Sequence, residues 1–340
     1  MKWKESIVMN KRKWLDSLKY DRAKSLPILS FPMTKKYNIS VNELVNSQNL
    51  QAELMCKIAQ EYPMSAVLSM MDLSVEAEAF GAPIRFIKDD VPTVTKAIIE
   101  SIEDVDNLKI PEVFKNRTGV YVEGIRLAKK NAFGKPVIAG VIGPFSLAGR
   151  LMDMTEIMIN TYYNPNLVKM LLNKTTEFII KYITAFKEAG ANGIMIAEPA
   201  AGLLSPEICE EFSSCYIKKI IESLETENFV IIYHNCGNVI PLVNTILTFD
   251  ADIYHFGDSI DLEDMLKLMP KDKIIMGNIS PSNVIKNSSS KEVYESIINL
   301  LNKCDKYENF VISTGCDVPY LAPLQNIETY FESIKDFYKK

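Results

Sequence analysis

Several features are scarce or absent in this 340-residue sequence, and each absence narrows the possible classes of protein. The net charge of −5 and pI near 5.4 give no basic excess that would favour a nucleic-acid ligand. No apolar run reaches the length of a membrane-spanning helix, and residues 1–13 contain no apolar signal core. The six cysteines include no Cys-x-x-Cys pair, which indicates a reducing cytoplasm rather than a disulfide framework. We therefore expect a cytoplasmic protein with neither nucleic acid nor membrane as its partner.

No Gly/Ser-rich or Pro-rich linker divides the chain, so we predict a single domain over residues 1–340. Short apolar runs, mostly separated by helical patterns, predict a parallel sheet. No Gly-x-Gly-x-x-Gly follows the first run, so the pattern favours a (β/α)8 TIM barrel over a doubly wound sheet. A short helix over 10–20 precedes the barrel as an N-terminal extension. The eight predicted strands are 26–31, 66–71, 136–142, 193–197, 229–233, 251–256, 273–276 and 310–314.

Helical periodicity and end signals predict the elements between these strands. Ser40 followed by Glu43 is the pattern of a capping box, at the start of a helix predicted to continue to residue 59. Gly190 is a suitable residue to end the long amphipathic helix predicted over 164–189. Further helices are predicted over 93–102, 120–130, 239–248, 262–268, 291–304 and 328–338, and from Ser205-Pro206 onward.

The fifth predicted strand ends in a pair of metal-ligating side chains. His234 and Cys236 are two positions apart, so in an extended chain both side chains point to the same side. A second strand end carries Cys316, and the three together would leave one position of a zinc ion open, as in catalytic zinc sites. The alternative is that both cysteines are small core residues and that the histidine is a hydrogen-bonded core side chain.

The predicted barrel brings distant residues to one rim, because active sites of such barrels lie at the carboxyl ends of the strands. Asp72, Glu198 and Asp258 follow three of the predicted strands, and we expect Asp72 and Glu198 to line the cavity without being obligatory metal ligands. The alternative is that Asp and Asn at strand ends simply begin loops. That alternative accounts poorly for His234 and Cys236.

Several motifs occur in an order and spacing that is similar to a known family. The sequence resembles the uroporphyrinogen decarboxylase superfamily, and within it the zinc-dependent corrinoid methyltransferase branch. The His-x-Cys…Cys pattern is the specific part, and the resemblance extends over nearly the whole chain. The motifs are Asp72–Pro83, Gly143–Ala148, Leu204–Pro206, His234–Asn238, Gly277-Asn278 and Gly315-Cys316.

The resemblance implies a TIM barrel with a zinc ion held at its rim by His234, Cys236 and Cys316. It implies transfer of a methyl group between a methyl-corrinoid, carried by a partner corrinoid protein, and a small acceptor, either a thiol or a pterin. Glu198 matches a pocket position that is commonly acidic. Asp258 matches an acidic residue that can approach the metal, although residues 256–259 depart from the family's usual pattern.

Two alternatives remain open from the sequence. A decarboxylase would use Asp72, which matches the central Asp of those enzymes. However, residues 31–36 contain no Arg, and Cys316 stands where decarboxylases carry a His. A non-enzymatic protein that binds zinc or a corrinoid would use the same ligands without turnover.

Overall fold

Seven parallel strands form the central sheet of the computed structural model, which describes residues 9–339. The prediction of no signal core concerned residues 1–13, of which 1–8 lie outside the described residues. The strands are β1 Val67–Leu68, β2 Ile84–Ile87, β3 Asp90–Val94, β4 Val137–Ile142, β5 Gly193–Ala197, β6 Val230–Asn235, β7 Ile253–Phe256, β8 Ile274–Ile279 and β9 Phe310–Thr314. The order in the central sheet is β1-β4-β5-β6-β7-β8-β9, and β2 and β3 form a separate antiparallel hairpin.

Helices follow most strands and cover the outside of the sheet. The described segments contain no helix that is both long enough and apolar enough to cross a membrane. The α-helices are α1 Lys11–Tyr20, α2 Ser30–Met33, α3 Val41–Val45, α4 Gln48–Glu61, α5 Val75–Ala79, α6 Ile102–Asn107, α7 Arg117–Asn131, α8 Pro144–Met152, α9 Met154–Tyr163, α10 Pro165–Glu188, α11 Pro206–Cys209, α12 Cys215–Glu222, α13 Val243–Ile246, α14 Leu262–Leu268, α15 Ser290–Cys304 and α16 Leu324–Tyr338.

The first predicted strand, 26–31, is not a regular strand. Ser25 forms one parallel bridge to Met64, beside β1, and Ile28 forms another to Asp317, beside β9. Pro27 lacks the N–H that a continuous ladder requires, and α2 begins at Ser30. The segment therefore joins the two edges of a seven-stranded curled sheet, where the sequence predicted an eighth strand of a barrel.

The helix predictions were correct in part. The capping box at Ser40 and Glu43 is confirmed, but the helix predicted to continue to residue 59 breaks at Asn46 and restarts from the cap residue Ser47. The helix predicted over 93–102 is wrong. Residues 93–94 pair in the hairpin of β2 and β3, which the sequence analysis missed, and α6 begins at Ile102.

Candidate metal centre and the cavity beside it

The ends of β6 and β9 bring His234, Cys236 and Cys316 together. One ligand atom from each residue lies within 4.8 Å of the other two. The Cys316 Sγ atom is 3.5 Å from Nε2 of His234. In the described part of the chain, this is the one group of three or more His, Cys, Asp or Glu side chains arranged so that they can share a metal ion. Two sulfurs and an imidazole match the donor set that zinc takes, with a fourth position left free.

Close backbone packing fixes the position of Cys236. A Cβ atom on Gly257 would lie 2.5 Å from Cys236 Cα, so only glycine fits there without a shift of the backbone. The preceding Asn235 donates a hydrogen bond of 2.7 Å from Nδ2 to the Glu198 carbonyl, and its Oδ1 accepts from Gly237 N at 2.8 Å. The turn after β6 is thus held from both sides, which orients the thiol.

The pKa values of the two cysteines are shifted in opposite directions. The pKa of Cys236 is lowered, chiefly because the neighbouring Cys316 thiol acts as a hydrogen-bond donor to its sulfur. The pKa of Cys316 is raised well above its ordinary value, because it is the donor in that bond and because it is buried. Both cysteines would be deprotonated on binding a metal ion, because the thiolate is the form that ligates.

A second histidine, His255 on β7, touches the first. Its Nδ1 atom is 2.7 Å from Nδ1 of His234, and its Nε2 atom is 3.0 Å from Oγ of Ser313. Burial lowers the pKa of His255 well below its ordinary value, and the neighbouring His234 lowers it further. This residue was not among the predicted site residues. The available signal was that the chain has only two histidines, one directly after the predicted strand 229–233 and one within the predicted strand 251–256.

The three sulfur and nitrogen ligands face a cavity of about 230 Å³. Apolar side chains form much of its wall, together with residues 91–93 of β3. Arg150, in the last turn of α8, is the cationic side chain among its lining residues. Asp317 also lines the cavity, and its Oδ1 atom has no hydrogen-bond partner among the described residues.

Asp72 lies behind the cavity wall rather than in it. Its Oδ1 accepts from the Ser74 hydroxyl at 2.6 Å, and its Oδ2 accepts from the Tyr121 hydroxyl at 2.9 Å and from the guanidinium of Arg117. Asp72 is thus not among the side chains that line the cavity. Met71, Leu73 and Ser74 line the cavity, while these local donors hold the carboxylate away from it.

Glu198 also lies behind the wall. Its carboxylate accepts hydrogen bonds from the backbone N–H groups of Phe145 at 3.0 Å and Ser146 at 2.6 Å, at the start of α8. Burial raises its pKa to about 7, against the lowering effect of these bonds. A Cβ atom on Gly143 would lie 2.5 Å from the Glu198 carboxylate, so this contact requires glycine there. Glu198 is not among the side chains that line the cavity, and its hydrogen bonds anchor the helix that carries Arg150.

Asp258 is exposed and is not brought to the three ligands. A Cβ atom on Gly315 would lie 2.9 Å from the backbone nitrogen of Asp258, so the main chain packs beside the ligand loop. The backbone of Asp258 therefore lies near the metal site. Its carboxylate belongs neither to the three-ligand group nor to the cavity lining.

Comparison with known families agrees with this architecture. The sequence model of the uroporphyrinogen decarboxylase (URO-D) family matches residues 28–337. The chain belongs to this family. The resemblance inferred from the sequence motifs is thereby confirmed for nearly the whole chain.

The relatives that match this chain include both methyltransferases and decarboxylases. A methylcobamide:CoM methyltransferase MtbA of Methanosarcina acetivorans is 28% identical over 281 residues, which are 80% of each chain. A methylcobamide:CoM methyltransferase MtaA of Methanosarcina barkeri is 29% identical over 302 residues, 84% of this chain and 85% of the relative. A uroporphyrinogen decarboxylase of Thermodesulfovibrio yellowstonii is 25% identical over 301 residues, 86% of each chain.

Solved structures support the fold. A methyltransferase from Methanosarcina mazei superposes with a TM-score of 0.83 at 22% identity, covering 96% of this chain and 98% of that one. A B12-independent methionine synthase from Shewanella sp. W3-18-1 superposes with a TM-score of 0.60 at 15% identity, covering 93% and 96%. At these identities the likeness establishes the shared TIM-barrel-like fold of the URO-D family and no more than the fold.

A buried acid within the matched region gives a prediction about stability. Glu76 on α5 is buried, with Oε1 accepting from Ile142 N at 3.0 Å and Oε2 without a partner among the described residues. Burial raises its pKa from the ordinary 4.5 to about 7. Between these pH values the folded protein holds a proton that the unfolded chain has released, so stability falls as the pH rises. The loss is about 3 kcal/mol at most.

Glu76→Gln should therefore flatten the dependence of the free energy of unfolding on pH between 5 and 8. The amide mimics the protonated acid, so the variant should match the wild type near pH 5 and exceed its stability at pH 8. Urea unfolding at several pH values measures this. Glu53→Gln, at an exposed ion pair with Lys57, is the control and should leave the slope unchanged. A wild-type slope retained in Glu76→Gln would contradict the assignment.

Proposed function

We propose that this protein is a zinc-dependent methyltransferase that moves a methyl group between a methyl-corrinoid and a small acceptor, most simply a thiol. The observation that carries the proposal is the convergence of His234, Cys236 and Cys316 on one point beside a cavity. Relatives named methylcobamide:CoM methyltransferases support it. We place the protein in the cytoplasm, in keeping with six cysteines that form no disulfide framework.

The ligand set fits this chemistry. A bound zinc ion would hold an acceptor thiol as its thiolate at neutral pH. The side chains of Cys236 and Cys316 bring two negative charges to the site, which preserves the nucleophilic character of an acceptor sulfur beside them. The apolar cavity wall excludes water from the sulfur. In the transfer, the acceptor sulfur forms a bond to the methyl carbon while the cobalt–carbon bond breaks, and the electron pair of that bond stays on cobalt.

The corrinoid would be presented by a partner protein over the mouth of the cavity. Two large apolar side chains are exposed in the loops that follow strands at this rim. Leu203 lies in the loop after β5 and is 66% exposed, and Leu321 lies in the loop after β9 and is 67% exposed. Exposed apolar side chains around a functional opening are typical of surfaces that bind another protein.

The cavity favours an acceptor with an anionic group. Arg150 lines it from α8 and has no hydrogen bond or ion pair to any side chain that the structure describes. A partly buried guanidinium without a partner is unfavourable until an anion binds. A carboxylate, sulfonate or phosphonate on the acceptor would satisfy it.

Arg150→Met should therefore raise KM for an anionic thiol by about 10- to 100-fold, since a hydrogen bond to a charged group contributes about 1.5–3 kcal/mol. The KM for a neutral thiol of similar size should change little. Arg150→Lys keeps the charge without the planar fork and should give an intermediate KM. Equal effects on charged and neutral thiols would contradict the role given to Arg150.

The decarboxylase alternative is disfavoured by the state of Asp72. Its carboxylate is already bound by Ser74, Tyr121 and Arg117, so it is not available to a substrate in the cavity. The segment 31–36 contains no Arg and lies in α2 and a short 3-10 helix. There Lys35 donates to the Ala322 carbonyl and Lys36 pairs with Glu61. Asp72 and Glu198 then serve the reaction by holding the cavity wall and α8 in place.

The proposal is tested with methylcobalamin and an anionic thiol under anaerobic conditions. Zinc-loaded protein should convert methylcobalamin to cob(I)alamin, which is followed by absorbance, and the methylated thiol should appear in equal amount. His234→Ala should abolish the conversion while the protein remains folded by circular dichroism. Decarboxylation of uroporphyrinogen without methyl transfer would favour the decarboxylase. Zinc binding without either reaction would favour a binding protein.

A further inference from the structure

We propose that His255 is a positioning residue that fixes the ring of His234 in the tautomer whose Nε2 lone pair is free to bind the metal. This inference rests on the proposed metal site and assigns a role to the second of the two histidines in the chain. It is carried by a series of four hydrogen-bonding groups that runs from the backbone of Leu26, through Ser313 and His255, to His234.

The direction of the first hydrogen bond is set by a carbonyl group. The Leu26 carbonyl oxygen can only accept, and the Ser313 hydroxyl lies 2.9 Å from it. Leu26 is fully buried, and no other donor to this oxygen is found among residues 9–339. A buried carbonyl requires a partner, so the serine proton points to Leu26. The Ser313 oxygen is then left to accept from Nε2–H of His255, at 3.0 Å.

The direction of the next hydrogen bond follows from burial. His255 is fully buried, and its ring interacts with His234, Ser313 and the backbone of Thr314, none of which is a carboxylate. A charged imidazolium there would be unfavourable, so the ring is neutral and carries its single proton on Nε2. Its Nδ1 is therefore an acceptor, and the proton between the two Nδ1 atoms, 2.7 Å apart, belongs to His234.

This arrangement leaves Nε2 of His234 unprotonated on the side that faces the thiols. That atom is 3.5 Å from Cys316 Sγ and belongs to the three-ligand group. Metal-binding histidines generally donate their second N–H to a neighbouring acceptor, which fixes the ring and its tautomer. Here the acceptor is another histidine, supplied by the adjacent strand, since His234 and His255 are register partners in β6 and β7.

The test compares two variants of nearly the same shape, His255→Asn and His255→Leu. The Asn side chain can place its amide oxygen where Nδ1 of His255 lies, whereas Leu offers no acceptor. We expect His255→Leu to weaken zinc binding about 10- to 100-fold, the usual effect of losing such a partner. We expect His255→Asn to stay within about threefold of the wild type. Competition with a chromophoric chelator measures both affinities.

Protein stability separates this role from simple packing. Leu suits a buried apolar position at least as well as Asn. If His255 only fills space, the Leu variant should therefore have the higher melting temperature and should bind zinc at least as tightly as the Asn variant. Our inference predicts that the Asn variant binds zinc more tightly although it is no more stable. Equal zinc affinities of the two variants would overturn the inference and leave the proposed function standing. A wild type that binds no zinc would overturn both.

A spectroscopic experiment examines the protons directly. With only two histidines, ¹⁵N-histidine labelling of the untagged, zinc-loaded protein gives four ring-nitrogen signals, and His255→Asn removes two of them. The expected pattern has His255 protonated at Nε2 and bare at Nδ1, with the proton of His234 on Nδ1. A proton on Nδ1 of His255 would overturn the inference.

Discussion

Cys316→Ala is expected to lower the zinc affinity of this protein by roughly 10²- to 10⁴-fold. Zinc sites contribute about 10–16 kcal/mol in total, so losing one of three protein ligands removes about 3–5 kcal/mol. The fold should persist, because Cys316 lies in a loop beyond β9 and is not part of the apolar core. Chelator competition and elemental analysis measure the loss, and methyl transfer should disappear with the metal.

The matched control is Cys215→Ala, which removes an exposed thiol at the start of α12. It should leave zinc content and activity at wild-type values. If Cys316→Ala retained full zinc affinity, the metal would be held elsewhere and the three-ligand site would be wrong.

Arg117→Met is expected to lower the free energy of unfolding by about 3–5 kcal/mol, the usual effect of removing one partner from a buried ion pair. Arg117 is 4% exposed and pairs with Asp72 and Glu78. Although burial opposes it, the negative charge of Asp72 raises the pKa of Arg117. Without the guanidinium, the Asp72 carboxylate stays buried with only neutral donors. Urea unfolding measures the loss.

Zinc affinity should separate this effect from damage to the metal site. The three ligands lie at or just beyond the ends of β6 and β9 and form no ion pair with Arg117 in the described structure, so a folded Arg117→Met protein should bind zinc within a few-fold of the wild type. The control is Lys181→Met, which breaks a solvent-exposed pair with Glu177 and should change stability by less than about 0.5 kcal/mol. A loss of similar size in both variants would contradict the buried-pair account.

The sequence predicted the parts of the fold that depend on local pattern. Short apolar runs identified all seven strands of the sheet, and the i, i+2 spacing of His234 and Cys236 predicted their common side. The segment 26–31 was wrongly predicted as a regular strand. Its apolar pattern does not show that Pro27 interrupts the hydrogen bonds between strands. The helix over 93–102 was wrong because β-branched residues there pair across a hairpin, and pairing of that kind is set by the partner strand.

The orientation of carboxylates was beyond prediction from the sequence. Asp72 and Glu198 do follow strands that end at the rim. Whether such a side chain faces the cavity depends on which donors surround it, and these come from residues distant in sequence, namely Arg117 and the N–H groups at the start of α8. The contact between His234 and His255 could not be predicted either, because it depends on the register between two strands.

The most direct test of the central account is a zinc titration of metal-free protein in which bound metal and methyl transfer are measured in the same samples. The account predicts that thiol-dependent loss of methyl from methylcobalamin rises in proportion to bound zinc and that both saturate at one equivalent per chain. The same titration of Cys316→Ala should show neither at those zinc concentrations. Full methyl transfer by metal-free protein, or saturation with zinc and no transfer to any thiol or pterin, would contradict it.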